Sequence, residues 1–395
     1  MVEIHETVEL VSYIEARGSL EGIAIQGVNL ESLQCDISSV PVEGSFFIGC
    51  RMGQNLVLDL IQRGAYVIKD FPKLPFQPFR TKLYSGSDLF DQFHPQDPCS
   101  YKECADAHIY RHWQEAGGAE VKSIVHGLFQ RMHDQSISDA LYEFLSEHEC
   151  RPVVAIMGGH SMKRTDRRYR EVVELSRRMT ADGYLMVSGG GPGAMEATHL
   201  GARLVGARDG IMDECLRILS RAPSYKDKEW LAAAFEVMDL IDRRGGAAEG
   251  TVSLGIPTWH YGHEPPTPFA THIAKYFSNS LREEGLITIA HDGIVYAPGS
   301  AGTIQEIFQD AAQNHYETTG YASPMIFLDE DYWKREKPVY PLVEMLAKGR
   351  NYHGILGITD TVDGVIDFLG HHRKIAVESE GWNFVKAHCS DDCES

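Results

Sequence analysis

Twice between residues 150 and 370 a short apolar run ends in glycines and passes straight into helical text. Ser188-Gly189-Gly190-Gly191-Pro192-Gly193-Ala194 follows Tyr184-Leu185-Met186-Val187, and Pro298-Gly299-Ser300-Ala301-Gly302-Thr303 follows Ile294-Val295-Tyr296-Ala297. Few folds accept such a junction twice. A buried strand that turns sharply on glycines into a helix is the repeating unit of an open parallel sheet. The surrounding text keeps the rhythm. Arg151 to Met157 reads as a buried strand ending at Gly158-Gly159, and Arg167 to Thr180 reads as a helix stopped by Gly183. Gly193 to Val205 reads as a helix, Thr251 to Ile256 as a strand, Phe269 to Glu284 as a long helix, Thr303 to His315 as a helix and Met325 to Leu328 as a strand. The expected class is therefore α/β, a doubly wound, Rossmann-like parallel sheet, with ligands beyond the carboxyl ends of its strands. Residues 206 to 250 interrupt the rhythm with charged helical text and read as an insertion.

A chain of 395 residues exceeds one ordinary core. Three regions are expected: an accessory α/β-helical domain over 1–145, the nucleotide-binding sheet over 146–375, and an acidic tail over 376–395. Within the first, Phe46 to Gly49, a helix near Asn55 to Arg63, and Ala65 to Ile68 read as a small α/β unit, and Ser100 to Glu149 reads as helical. The formal net charge of −19 argues against nucleic acid polymers and anionic membranes as partners. It leaves open a small phosphate compound held by local backbone N–H groups. No apolar run reaches the ~18 residues of a membrane span, and Met1 to Glu6 does not resemble a signal peptide. The eight cysteines are scattered, which fits a reduced, cytoplasmic protein. His388, Cys389 and Cys393 in the tail lack a second ligand pair of zinc spacing, so no metal is expected there.

Five constellations can carry chemistry. Gly189, Gly190, Gly191 and Gly193, with Glu196 in the following helix, offer close backbone approach and free amides to a phosphate; a tight structural turn is the alternative. Gly189, Gly191 and Ala194 also fit a dinucleotide fingerprint, but the acidic residue it requires ~20 positions on is met only by Asp209. Gly299, Ser300, Gly302 and Thr303 repeat the arrangement, Thr303 being placed both to cap the helix and to bind phosphate. Glu306, three residues later, is either an acid facing the ligand or half of an ordinary capping box. The loop Pro257 to Pro266 brings Trp259 and Tyr261 as candidates to stack on a base. His260, His263 and Glu264 in that loop lack the helix that would align metal ligands, so no metal is expected. Arg282 closes the expected helix from Phe269, where an arginine complements the dipole or serves a ligand. Gly158 and His160 follow the first strand, with Arg164 nearby.

Together these residues resemble a known family. Gly-Gly-Gly-Pro-Gly-Ala-Met-Glu-Ala from Gly189, and an arginine sixteen residues before Pro-Gly-x-x-Gly-Thr-x-x-Glu, are similar to the LONELY GUY family, long labelled "lysine decarboxylase-like". The resemblance covers about residues 150 to 370. It implies hydrolysis of nucleoside 5′-monophosphates to free base and ribose 5-phosphate, with Arg282 and Glu306 as the catalytic pair. It also implies Gly299, Gly302 and Thr303 as the phosphate loop, Gly189 to Gly193 as the second ligand loop, and a homodimer or larger homo-oligomer. Ser300 replaces a usual glycine, and Asn279-Ser280-Leu281-Arg282-Glu283 replaces Met-His-x-Arg-Lys. The Gly-Pro-Gly-Ala-Met-Glu-Ala form and the long N-terminal region look closer to the larger pyrimidine/purine nucleotide 5′-monophosphate nucleosidases than to the cytokinin riboside 5′-monophosphate phosphoribohydrolases. Three other readings remain: the cytokinin activity itself, a non-catalytic holder of a phosphorylated cofactor like the molybdenum-cofactor carriers, and a nucleotide-sensing regulator. Lysine decarboxylation would need a lysine bearing pyridoxal phosphate. Neither glycine loop holds one, and Lys275 is expected mid-helix, so no cofactor is expected.

Overall fold

The computed structural model describes residues 2–33, 35–68, 74–208, 210–244 and 250–372, and the backbone of 375–376. Asp209 and the expected tail beyond residue 376 lie outside the described residues. Two compact units emerge. One comprises Met1–Leu83 with His108–Glu147, the other Tyr84–Ala107 with His148–Ser395. The segment Tyr84–Ala107 thus belongs with the second unit, although the sequence reading assigned it to the first region.

In the first unit, β1 (Glu3–Ile4), α1 (Thr7–Arg17), β2 (Ala24–Gln26), β3 (Phe46–Ile48), α2 (Gln54–Gln62) and β4 (Tyr66–Ile68) build a small parallel sheet in the order β1-β2-β3-β4. Ile4, Ile25, Phe47 and Leu60 are fully buried in its core. Gly18 ends α1 in the left-handed region, at φ 64°, and its N–H donates to the Ile14 carbonyl. β1, α1 and β2 are additional to the expected unit at Phe46 to Ile68; their strands are only two and three residues long, too short to carry a period. Next in the chain come α3 (Gly86–Leu89), which belongs to the second unit, α4 (Ala105–Glu115), and α5 (Ile124–Glu147) of the first unit.

The second unit is the doubly wound fold. In chain order it has β5 (Val153–Met157), α6 (Arg167–Ala181), β6 (Leu185–Ser188), α7 (Ala194–Arg203), α8 (Ile211–Leu219), α9 (Trp230–Arg243), β7 (Ser253–Gly255), β8 (His272–Ile273) and α10 (Asn279–Ile289). Then follow β9 (Ile294–Tyr296), α11 (Ala301–Tyr316), β10 (Tyr321–Ala322), β11 (Met325–Leu328), α12 (Tyr340–Ala347), β12 (Leu356–Thr359), α13 (Val362–His371) and β13 (Ile375–Ala376). Seven strands form one sheet in the order β12-β11-β9-β5-β6-β7-β8, and every neighbouring pair in it is parallel. All residues of β5, β6, β9 and β11 are buried, as a sheet covered on both faces requires. The chain fills the sheet from β5 to β8 and then returns to the other side of β5 with β9. That reversal opens a crevice at the carboxyl ends of β5 and β9.

One expected element is replaced. Phe269 to Glu284 is not a helix: β8 occupies His272–Ile273, and α10 begins only at Asn279. Ile273 exchanges backbone bonds with Tyr84, and Ala274 N–H donates to the Gly255 carbonyl, so the backbone is committed to sheet pairing. Phe269, Ala270, Ile273, Ala274, Tyr276 and Phe277 are all buried, and a run buried on every side gives no period to separate helix from strand. The interrupting segment, read as an insertion, forms α8 and α9. Arg164 ties it down: Nη1 donates to the carbonyls of Ala222 (3.2 Å) and Trp230 (3.0 Å), and the guanidinium lies 4.7 Å from the Trp230 ring centre.

Candidate functional site

Three loops meet at the sheet's switch point. The one after β5 is wedged between the other two. Gly159 N–H donates to the Pro298 carbonyl (3.0 Å), and Ala194 N–H donates to the Gly159 carbonyl (3.3 Å). Glycine is required at both contacts. A Cβ at Gly193, whose φ is 70°, would lie 2.3 Å from the Gly159 carbonyl oxygen, and a Cβ at Gly158 would lie 2.7 Å from the Ala194 Cβ. Above these loops is a cavity of about 310 Å³, lined by residues of the three loops and by Tyr261, Glu264, Arg282, Glu283 and Glu306.

Arg282 and Glu306 face each other there. Arg282 Nη1 lies 3.4 Å from Glu306 Oε1, and both side chains are about nine-tenths buried. Arg282 stands in the first turn of α10, not at a helix C-terminus as the sequence reading had it. A cation is disfavoured at that end by the helix dipole. Its partners compensate: Nε donates to the Ile256 carbonyl (3.2 Å), and Glu283 lies beside it at 3.7 Å. Glu283 is held in turn by Asn279 (2.7 Å) and Gln305 (2.8 Å). Glu306 is no capping glutamate. The N-cap of α11 is Ser300, without a side-chain cap bond, and Thr303 sits inside the first turn with its Oγ1 against Gly299. Burial pushes the Glu306 carboxyl above the ordinary value of 4.5; Arg282 opposes this and Glu283 adds to it.

The α11 end of the cleft is an anion cradle in form. Ser300, Ala301, Gly302 and Thr303 line it, and the first-turn amides of a helix have no intrahelical acceptor. Lys337 joins them, with Nζ 3.0 Å from the Gly299 carbonyl and 3.4 Å from Ser300 Oγ; Tyr332 also donates to the Gly299 carbonyl. Neither Lys337 nor Tyr332 has a sequence signal linking it to a loop more than thirty residues away.

The first glycine loop is used differently along its length. Gly189 lines the cavity, where a Cβ would come within 2.6 Å of Arg282 Nη2. Gly190 is occupied internally at φ 68°: its N–H donates to Ser188 Oγ (3.1 Å) and its carbonyl accepts from Thr267 N–H (2.8 Å). Gly191 lies against Met195, with Glu264 Oε2 at 4.0 Å from where its Cβ would be. Beneath this loop a polar chain runs from Ser188 Oγ to His199 Nε2 (2.8 Å) and from His199 Nδ1 to Ser253 Oγ (3.0 Å). Burial pushes His199 down to about 3, so the floor of the loop is uncharged at neutral pH.

Of the expected site residues, Gly190, Gly191, Gly193 and Gly299 are not among those lining the cavity, and two side chains, Glu196 and Trp259, do not reach it. Glu196 is fully buried; Oε1 and Oε2 accept from Arg164 (2.5 and 2.9 Å), and Oε2 also accepts from the Tyr169 hydroxyl (2.8 Å). This ion pair fastens α7 to the loop carrying Arg164 and is structural. Trp259, expected to stack on a base, is also fully buried. Its indole N–H donates to Asp106 Oδ1 (2.9 Å) and its ring tilts against Phe277 at 4.6 Å. The same carboxylate takes Lys275 (2.5 Å) and the Tyr101 hydroxyl (2.7 Å), which satisfies a charge pair otherwise costly to bury. Tyr261, two residues on, is exposed and lines the cleft, as does His160. A larger groove of about 900 Å³ in this unit is lined by Arg221, Phe235, Glu236 and Arg243. It has no glycine loop, and Glu229 at the N-cap of α9, Glu236 and Asp239 line it beside the two arginines, which disfavours an anion there.

Among the described residues no helix is long and apolar enough to cross a membrane. No family model and no curated protein matches the chain. Solved structures do, over 56% of this chain. The molybdenum cofactor binding protein of the phototrophic bacterium Rippkaea orientalis is 13% identical, is covered over 96% of its length and gives a TM-score of 0.34. The Moco carrier protein of Chlamydomonas reinhardtii is 13% identical, is covered over 96% and gives 0.32. The structural-genomics target TM1055 is 17% identical, is covered over 99% and gives 0.34.

Proposed function

We propose that the cleft hydrolyses the N-glycosidic bond of nucleoside 5′-monophosphates, releasing free base and ribose 5-phosphate. The observation that carries this reading is the buried Arg282–Glu306 pair, set between two glycine loops at the sheet's switch point. The resemblance of those loops to the LONELY GUY family supports the same chemistry. In the reaction the C1′–N bond breaks, a C1′–O bond forms to water, one water proton goes to an enzyme carboxylate, and the base leaves with a proton taken from solvent, which the carboxylate's proton, released on turnover, replaces. The sugar gains positive charge at the transition state, which an adjacent carboxylate stabilises. Glu306 has that role and takes the water proton; its raised pKa makes it a better acceptor than an ordinary glutamate. Arg282 orients Glu306. The amides of the α11 first turn, with Lys337, hold the 5′-phosphate.

Purified protein is incubated with AMP, GMP, IMP, CMP, UMP and a cytokinin riboside 5′-monophosphate, and free base and ribose 5-phosphate are measured. Glu306→Gln is expected to lower kcat by about 100-fold or more while nucleotide still binds. The acid limb of the wild-type kcat/KM profile is expected above pH 4.5, following the raised carboxyl. Unchanged turnover in Glu306→Gln would sink the role. Tight nucleotide binding without base release from any substrate would favour a non-catalytic carrier instead.

A further inference from the structure

The cleft is lined by three carboxylates, Glu264, Glu283 and Glu306. Arg282 is matched to Glu283 and Glu306; Glu264, on the loop that crosses Gly190, has no arginine or lysine partner among the described residues. Among the described residues its ion-pair neighbours are His160 (Nδ1 to Oε1, 3.4 Å) and His263 (Nε2 to Oε1, 3.7 Å). Both histidines face the same oxygen. The other, Oε2, lies 4.0 Å from where a Cβ of Gly191 would be. The side chain is mostly buried, with 15% of its surface exposed, and it lines the cavity.

Charge decides which part of a nucleotide lies there. A 5′-phosphate carries close to two negative charges, and placing it against Glu264 would set like charges together in a partly enclosed site. The α11 end offers the opposite: unsatisfied amides, a helix dipole and Lys337. The phosphate therefore belongs at α11. C1′ belongs beside Glu306 and Arg282, and the base belongs beyond them, against Gly189, Met195, Tyr261 and Glu264. Tyr261 and Met195 present surfaces suited to the faces of an aromatic ring. Glu264 presents an acceptor to its edge. An ionised carboxylate can only accept hydrogen bonds, so the edge that suits it carries N–H groups.

We infer that Glu264 is the specificity-determining contact to the leaving base, and that it selects bases with an exocyclic amino group over those with a carbonyl at the same position. His160 and His263 act through it as positioning residues, holding Oε1 so that Oε2 meets the amino group. The inference rests on the proposed nucleotide reading, and it names the subset of nucleotides that the site takes.

Two substrate pairs isolate the effect, because each exchanges an amino group for a carbonyl oxygen with little change in size: AMP against IMP, and CMP against UMP. Wild-type kcat/KM is expected to favour the amino member by about 10- to 100-fold, the value of one charge-assisted hydrogen bond in a partly enclosed site. In Glu264→Ala both ratios are expected to fall towards one, mainly through loss on AMP and CMP. Glu264→Gln keeps the size and tests the charge; its amide can also donate, so the ratios are expected to fall at least as far. Circular dichroism and thermal melting establish that each variant is folded; if Glu264→Ala is not, Glu264→Gln decides. Wild-type ratios near one, or ratios unchanged in a folded variant, overturn the assignment. Dissociation constants for the same four nucleotides, measured by titration calorimetry, keep the two ideas apart. No base release, but a Kd preference for the amino members that collapses in Glu264→Ala, rejects the hydrolysis and retains Glu264 as selector. Base release without any preference does the reverse.

Discussion

Glu306 and Asp310 stand one turn apart on the same face of α11, and burial raises both carboxyls. Their roles differ because their surroundings do. Glu306 opens on the cleft, whereas Asp310 is sealed between the Tyr296 hydroxyl (2.6 Å) and Asn314 (3.2 Å). Burial pushes Asp310 up from 3.8 to about 7. The folded protein therefore holds this proton more tightly than the unfolded chain does. Its contribution to stability is complete below pH 3.8 and is lost as pH rises through about 7. Asp310→Asn, which cannot ionise, is expected to gain on the wild type across that window. The gain has a slope of at most about 1.4 kcal/mol per pH unit, whatever its constant offset. Urea unfolding of both proteins at pH 5, 6, 7 and 8 measures it, and parallel curves would contradict the assignment. At this scale the sequence was legible where a residue's role is tied to a local motif. The position of Glu306 in the cleft could be anticipated from Gly302-Thr303 beside it. Trp259 and Glu196 were misjudged because their partners, Asp106 and Arg164, are 153 and 32 residues away.

Helix α7 shows what the glycines do at the next scale. Gly201 faces α6 so closely that a Cβ there would lie 2.3 Å from the Val173 carbonyl oxygen and 2.9 Å from Arg177 N. Both contacts are backbone and cannot swing aside. Gly201→Ala is therefore expected to destabilise the protein by about 1–3 kcal/mol despite alanine's better helix propensity. A thermal melt unchanged from wild type would mean that the two helices can separate without cost. Ser176 fastens the same contact, its hydroxyl donating to the Thr198 carbonyl at 2.5 Å. The strands and helices from β5 to α7, and β9, α11 and β11, could be read from the sequence, since short apolar runs alternate there with helical text; the two-residue β10 could not. β8 and the start of α10 could not. Their conformation is set by pairing with Gly255 and Tyr84, and the buried lysine in that stretch is legible only once Asp106 is placed beside it.

Across the whole chain the cysteines report on burial independently of any activity. Cys99 and Cys150 are exposed, whereas Cys50 in the first unit and Cys215 in the second are fully buried. Burial pushes Cys50 up to about 11 and Cys215 up to about 12, so neither supplies thiolate at neutral pH. Site-resolved alkylation in native buffer is expected to modify Cys99 and Cys150 first and to reach Cys50 and Cys215 only as urea unfolds their units. Native labelling of Cys50 as fast as Cys99 would contradict the core described for the first unit. The doubly wound architecture was foreseeable from the alternation of elements, but the division of the chain was not. Tyr84–Ala107 lies within the N-terminal part of the sequence yet belongs with the second unit, through Tyr84 at β8 and Asp106 at Lys275. No local pattern announces a segment that returns to a sheet built almost 200 residues later.

That returning segment also alters the margin of the large sheet. A short parallel edge strand presents unpaired amides and carbonyls on which a foreign strand can add. At β8 the Tyr84 backbone already occupies both groups of Ile273, donating at 2.9 Å and accepting at 2.8 Å, so the outer side of that strand is blocked from within the chain. At the opposite margin β12 pairs with β11 alone among the described strands, and none of its four residues is fully buried. If concentrated protein associates through an edge of the large sheet, the growing template is therefore Leu356–Thr359.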